Sequence, residues 1–258
     1  MGSLGFYSFG HFIAYYGLMI VIGITVSSVF AAIQVKRFGL NMNDLIILVS
    51  VCGLCGILGA KILYIIVSFQ KIDLARLNEL PYLASIMSGG FVFLGGVIGA
   101  LPALAFCRAK LRIPVQPYIQ SCMGCLPVAH AFGRVGCFLV GCCYGRPHTG
   151  FPSVTYTRSL YAPNGIPLFP VQLTEALIEL LIGICLLALS RKLIKNSAMF
   201  LYLTAYSAAR FCLEYIRYDE IRGKIMGIST SQLLCIFLFF SSAFLFFREI
   251  RSGRKFPG

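Results

Sequence analysis

Long apolar stretches, each close to the length needed to cross a bilayer, recur along the whole chain. They are continuous runs rather than the shorter alternating segments of a membrane barrel, so the pattern predicts helices. The runs cover residues 12–33, 45–69, 89–107, 118–141, 172–190, 198–216 and 230–247. We therefore predict an all-α, polytopic membrane protein of about seven transmembrane helices, forming a single integral membrane domain over residues 1–258.

Composition agrees with this pattern. Hydrophobic residues make up 58% of the 258 residues, charged residues make up 12%, and the mean hydropathy is +0.84. These values exclude an ordinary soluble domain. The first apolar run has no charged residue ahead of it and no small-residue cleavage site, so we expect it to stay as a membrane anchor.

The basic residues indicate an orientation. With the N-terminus outside, the cytoplasmic segments hold twelve lysines and arginines and the outer segments hold seven, which predicts N-out and C-in. Basic loops beside anionic lipid headgroups then account for most of the net charge of +13, and no nucleic-acid partner is expected.

Residues 146–170 form the one longer extracytoplasmic loop, which we expect to lie as a head over the site. Lys61, inside the second span, is expected to snorkel outward, and the alternative is that it adds positive charge to an anion site.

The fourth span carries the most unusual chemistry. His130 and Arg134 are four residues apart and Cys137 follows three later, so one helix would present all three on the same side. An ionisable residue inside a membrane is costly and is a functional-site candidate. The alternative is that Arg134 pairs with a buried carboxylate only to fix helix packing. Nearby glycines would let a ligand or a neighbouring backbone come close.

Two later spans supply groups of complementary charge. At spacings of three and four, the fifth span presents an amide and two carboxylates on one face, and the sixth presents two arginines and a glutamate. Glu214 can orient Arg210 through an ion pair and leave part of the guanidinium for an anionic ligand, or the pair can be purely internal. The residues concerned are Gln172, Glu175 and Glu179, and Arg210, Glu214 and Arg217.

At five places the chain resembles the prolipoprotein diacylglyceryl transferases. The family signature is a Gly-Arg followed by a glycine-rich segment ending in an aromatic-Gly-Arg, and residues 133–146 read GRVGCFLVGCCYGR. The other matches, in the family's order, are YYGLM at 15–19, glycine pairs at 89–90 and 95–96, PVQLTE at 170–175 and RFCLE at 210–214.

This resemblance implies an enzyme of the bacterial cytoplasmic (inner) membrane that moves the diacylglyceryl group of phosphatidylglycerol onto the lipobox cysteine of a prelipoprotein, releasing glycerol phosphate. It implies that Arg134 and Arg210 grip the phosphate and stabilise its growing charge, with Glu214 holding Arg210. The expected partners are phosphatidylglycerol, the prelipoprotein signal peptide and the lipid bilayer, with no cofactor or metal, for a monomeric protein. The resemblance places these further residues around the substrate: Tyr16, Gly95, Gly96, Cys137, Cys142, Gly145, Gln172 and Glu175.

Three positions depart from the family pattern. Leu94 stands where the family has a histidine, and Cys137 and Cys142 stand where it has an asparagine and a glutamate. His130 is one candidate to replace the missing histidine as general base, because an imidazole suits deprotonation of a thiol. The alternative is a structural histidine held in place by its neighbours.

The eleven cysteines keep other functions open. Three pairs are close in sequence, and such spacing can hold a metal or a redox disulfide, as in a membrane thiol oxidoreductase. Cysteine is also a common small apolar residue in helices. A further alternative is a paralogous lipid-modifying transferase with a different acceptor. The pairs are Cys52 with Cys55, Cys122 with Cys125, and Cys142 with Cys143.

Overall fold

The computed structural model describes residues 4–8, 11–69, 72–73, 76, 78–88, 93–193, 197–218, 224–225 and 228–251. Helices form at all seven predicted spans, and the described residues also include three short antiparallel strand pairs, one before the first helix and two between later helices. The helices are α1 Tyr15–Arg37, α2 Met42–Ser68, α3 Leu80–Ser88, α4 Phe93–Ala109, α5 Val115–Cys122, α6 Cys125–Val140, α7 Val171–Leu189, α8 Ser197–Glu214 and α9 Thr230–Arg251. The strands are β1 Gly5–Ser8, β2 His11–Ala14, β3 Val154–Thr155, β4 Pro167–Leu168, β5 Lys224–Ile225 and β6 Ile228–Ser229.

Four of the described helices, α1, α2, α7 and α9, are long and apolar enough to cross a membrane, and the bent pair α5 and α6 makes a fifth if the two helices form one broken span. Their outward surfaces suit lipid: Phe237, Phe240, Phe244 and Phe247 of α9 are 61–70% exposed. The prediction of an all-α polytopic membrane protein is confirmed. The number of seven spans and the N-out orientation stay predictions.

The fourth predicted span is not one straight helix. Helix α5 ends at Cys122, α6 begins at Cys125, and the two are bent by 51°. The break lets Gly124 approach α7, where a Cβ would lie 2.6 Å from the carbonyl oxygen of Gly183. Pro127 lies in the first turn of α6, where its missing N–H costs no helical hydrogen bond.

The chain divides into two compact units, residues 1–39 with 116–258, and residues 40–115. In the first unit α1 packs on α6, α6 on α7, α7 on α8 and α8 on α9. Tyr16, at the start of α1, touches Gly136 near the end of α6, so these two helix ends lie together. The candidate site is built at this end of the first unit.

In the second unit α2 packs closely against α4. A Cβ on Gly95 would lie 2.7 Å from Cβ of Leu63 and would also collide with the carbonyl of Gly59. Lys61 is buried, and its Nζ donates to the carbonyl oxygen of Ile86 at 2.8 Å. The prediction that Lys61 snorkels was wrong, because a backbone acceptor inside the unit satisfies the ammonium.

The loop over residues 146–170 has a small core of its own. Tyr156, Ala162 and Leu168 are buried together, and β3 pairs with β4. The hydroxyl of Tyr156 donates to the carbonyl oxygen of Phe138 in α6 at 3.0 Å, which anchors the loop to the helices. Burial raises the pKa of Tyr156 to about 12.

Candidate active site

Arg134 is the centre of the site. Its Nε donates to Nε2 of His130 at 3.1 Å, as the spacing of four residues predicts for one face of a helix. Its Nη2 lies 3.1 Å from Oε1 of Glu175 in α7. The Arg134 side chain is 17% exposed and the Glu175 side chain 3% exposed, so the pair is largely removed from solvent.

His130 is held on both sides. Its Nδ1 lies 3.1 Å from Oε1 of Glu179, whose side chain is 2% exposed. Because Nε2 accepts from Arg134, the proton of a neutral imidazole belongs on Nδ1, where it points at Glu179. In this arrangement the Nε2 lone pair is already used. The geometry therefore favours a structural histidine that positions Arg134, and the general-base role stays a prediction.

Glu175 joins Arg134 to a second arginine that the sequence did not place in the site. Its Oε2 lies 3.8 Å from Nη1 of Arg217, and the Arg217 side chain is 3% exposed. The sequence places Arg217 on one face with Arg210 and Glu214 but also counts it with the outer segments, and it does not predict Arg217 as a site residue. In the structure α8 ends at Glu214, and Arg217 is buried where its backbone pairs with Gly145.

The predicted pair of Arg210 and Glu214 is present. Nη2 of Arg210 lies 2.8 Å from Oε2 of Glu214, and the two side chains are 8% and 10% exposed. A carboxylate four residues along the helix thus fixes the direction of the guanidinium.

Tyr206 lies near both arginine pairs, and the sequence did not identify it as a site residue. Its ring centroid lies 5.9 Å from that of His130, and it lies within electrostatic range of both Arg134 and Arg210. Its position four residues before Arg210, on the same helix face, was the signal.

The other predicted residues of the first unit surround this centre. Gln172 donates through Nε2 to the carbonyl oxygen of Cys142 at 2.8 Å. Gly145 admits no side chain, because a Cβ there would collide with the carbonyl of Phe169. Tyr16 lies on Gly136 and within electrostatic range of Arg134.

An apolar cavity of about 230 Å³ lies between α8 and α9. Its wall begins at Ser207, one helical turn before Arg210, and Cys235 in that wall is within electrostatic range of Arg210. A buried guanidinium near an apolar cavity suits an anionic headgroup that carries an apolar chain. The lining residues are Ser207, Ala208, Phe211, Cys212, Cys235, Ile236, Phe239 and Phe240.

Comparison with known proteins identifies the family. The model of the prolipoprotein diacylglyceryl transferase family matches residues 6–248. The chain belongs to this family. It is 35% identical over 241 residues to a phosphatidylglycerol–prolipoprotein diacylglyceryl transferase of Clostridium tetani, covering 92% of this chain and 94% of that protein. It is 32% identical over 251 residues to transferase 2 of Clostridium perfringens, covering 97% and 96%, and 29% identical over 259 residues to a Campylobacter jejuni transferase, covering 94% and 92%.

In this diacylglyceryl transferase family member, the two signature-segment cysteines meet a third. The thiols of Cys137, Cys142 and Cys143 all lie within 4.8 Å of one another. The sequence pairs Cys143 with Cys142 as a possible metal or redox site, but it does not bring Cys143 to Cys137, because that approach depends on a turn that spacing does not reveal. None of the eleven cysteines, all within the described ranges, forms a disulfide.

Gly95 and Gly96 lie apart from these residues in sequence and belong to the second unit. There Gly95 is buried in the contact between α2 and α4, where it lets the two helices pack closely. The part assigned to the two glycines in substrate binding stays a prediction.

Proposed function

We propose that this protein transfers the diacylglyceryl group of phosphatidylglycerol to the lipobox cysteine thiol of a prelipoprotein and releases glycerol phosphate. One observation carries the proposal: buried Arg210 and the largely shielded Arg134 each contact a carboxylate, and both lie within electrostatic range of Tyr206. The names of the relatives support the same reaction.

The arginines bind and polarise the phosphate. Glu175 and Glu214 each contact one edge of a guanidinium and fix its plane, which sets the direction in which Arg134 and Arg210 present N–H groups to phosphate oxygens. Because these donors are already oriented, little reorganisation is needed when negative charge grows on the leaving phosphate. Gly133 leaves open space beside Arg134, with no atom within 4 Å of a Cβ there.

The lipid part of the donor occupies apolar surroundings. The cavity between α8 and α9 starts one turn from Arg210, so a phosphate held at Arg210 places its attached acyl chain against that cavity. The rest of the diacylglyceryl group lies in the bilayer, beside the exposed phenylalanines of α9.

The reaction is an alkylation of sulfur. The acceptor thiolate attacks the glyceryl carbon bound to the phosphate oxygen, an S–C bond forms, and the C–O bond breaks with its electron pair going to oxygen. Tyr16 and Gly145 shape the headgroup pocket, and Gln172 holds the backbone of Cys142. The protein acts as a monomer in the bacterial cytoplasmic membrane, with residues 146–170 over the site and the prelipoprotein signal peptide as partner.

Complementation tests the proposal. A strain depleted of its own diacylglyceryl transferase should regain growth and lipidated prelipoprotein when it expresses this chain. In vitro, the purified protein should transfer label from phosphatidylglycerol to a lipobox peptide, and a peptide with serine in place of the lipobox cysteine should stay unlabelled. Failure of both assays with folded protein would overturn the proposal, and labelling of the serine peptide would point to a different acceptor.

A further inference from the structure

The turn after α6 gathers three thiols at the place where the resemblance expects an asparagine and a glutamate. Helix α6 ends at Val140 and is capped by Gly141 with φ of +84°, and the N–H groups of Gly141 and Cys142 both donate to the carbonyl of Cys137, at 2.9 and 3.1 Å. Cys143 then adopts φ of +59°, which is uncommon for a residue with a side chain. This backbone turns two consecutive cysteines toward Cys137, and unusual backbone of this kind clusters at functional sites.

The spacing of the three sulfurs suits a metal. Tetrahedral zinc binds cysteine sulfur at about 2.3 Å, which puts neighbouring sulfurs about 3.8 Å apart. The thiols of Cys137, Cys142 and Cys143 lie within 4.8 Å of one another, so small side-chain rotations close the site. Within the described part of the chain the cluster has three members, and a tetrahedral ion would keep its fourth position open.

The surroundings balance the charge of such a site. Three thiolates around a divalent zinc ion carry one net negative charge. Arg134 and Arg217 both lie within electrostatic range of Cys143. The site is therefore near Arg134, the arginine that is proposed to hold the phosphate of the donor.

We propose that Cys137, Cys142 and Cys143 bind one zinc ion, and that its open position takes the acceptor cysteine as a thiolate. This inference rests on the proposed function. A thiol bound to zinc loses its proton, so the ion supplies the deprotonation that the replaced histidine and glutamate leave unassigned.

The step balances without a further reactant. The acceptor thiol releases its proton to solvent on binding zinc, and the sulfur lone pair then forms the S–C bond to the glyceryl carbon. The C–O bond breaks with its electrons on the phosphate oxygen, and glycerol phosphate takes up a proton. The product is a neutral thioether, a weaker zinc ligand than a thiolate, and it leaves with zinc unchanged in oxidation state.

Metal content tests the site without any activity assay. The full chain, purified in detergent, should hold close to one zinc per chain by mass spectrometry. The protein loaded with cobalt instead should show thiolate-to-cobalt charge transfer and the visible bands of tetrahedral cobalt. Both signals should be lost in Cys142→Ser and Cys143→Ser and kept in Cys142→His, which restores a ligand. Cys185→Ser, an exposed cysteine on α7, is the matched control and should keep both.

Transfer assays test the catalytic part. A strong chelator should reduce transfer to a lipobox peptide at least tenfold, and added zinc should restore it. If the protein holds zinc but the chelator leaves the transfer rate unchanged, the proposed role of zinc in catalysis is overturned. Transfer by protein without zinc, or alkylation showing two of the three thiols oxidised to a disulfide, would overturn the site. If zinc binding and the cobalt spectrum are observed but no lipobox peptide is modified, the proposed function fails and the metal site stands.

Discussion

A guanidinium has five N–H donors, and Arg134 directs two of its nitrogens at partners on two helices. His130 comes from its own helix and Glu175 from α7. Glu175 is shared in turn with Arg217, and His130 with Glu179. At the scale of single residues the site is a chain of charge-assisted contacts, so changing one member alters the direction of the next.

His130→Gln separates the two roles left open for the histidine. A glutamine amide can donate to Glu179 and accept from Arg134, as the imidazole does. We expect transfer within about tenfold of the wild-type rate, because loss of a general base typically costs about 10²–10⁴-fold. Measuring kcat and KM with a lipobox peptide decides the matter. A loss above about a hundredfold in kcat alone would restore the general-base role.

Arg210→Lys keeps the charge and removes the planar fork. Lysine cannot face Glu214 and a phosphate in the same plane, so we expect kcat/KM to fall by about 10²–10³-fold. The same assay with Arg248→Lys, at an exposed position near the end of α9, provides the control. Unchanged activity in Arg210→Lys would mean that Arg210 does not contact the phosphate.

At the scale of elements, glycine controls how close α2 and α4 come. Cβ atoms at Gly59 and Gly99 would each meet the backbone of the partner helix. Lipid offers no hydrophobic drive between apolar helices, so close backbone contact supplies much of their association.

Gly59→Ala tests this contact. The added Cβ would lie 3.0 Å from Cα of Gly99 and would collide with the backbone of Gly95, so we expect a loss of roughly 1–3 kcal/mol in the free energy of unfolding. Gly53→Ala, on the same helix with nothing within 4 Å, should be neutral or slightly stabilising. Unfolding in mixed micelles measures both variants. Equal stability of the two would show that α2 and α4 do not pack at Gly59.

The loop over residues 146–170 is the second element with a measurable signature. Tyr156 has its pKa raised to about 12 by burial, above the ordinary value of about 10. The neutral phenol is thus favoured in the folded loop. Its stabilising contribution is complete below about pH 10 and is lost as the pH rises through the folded pKa, near 12.

Tyr156→Phe should remove this part of the pH dependence. It should also cost about 1 kcal/mol at neutral pH, because the hydrogen bond to the carbonyl of Phe138 is lost. Chemical unfolding followed from neutral pH to pH 12 compares the variant with the wild type. Parallel curves for the two proteins at high pH would contradict a buried phenol.

At the scale of the whole molecule, the distribution of basic residues predicts the orientation of the protein in the membrane. Helix packing alone does not determine that orientation. If the protein is N-out and C-in, a C-terminal green fluorescent protein fusion should fluoresce and a C-terminal alkaline phosphatase fusion should be inactive. Fusions after Gly150, in the outer loop, should give the reverse result. An active C-terminal phosphatase would invert the orientation and place the site on the cytoplasmic side.

The sequence by itself determined the membrane class, the positions of the helices and the family, because these depend on local hydrophobicity and on short motifs. It also determined which charged residues share a helix face, such as His130 with Arg134 and Arg210 with Glu214, since the helical period is local. Only the tertiary structure decided that Glu175 joins Arg134 to Arg217, that the fourth span breaks before Cys125, and that three thiols converge after α6. Each of these depends on the approach of separate helices or on backbone angles in a turn. Neither produces a periodic pattern that can be recognised in the sequence.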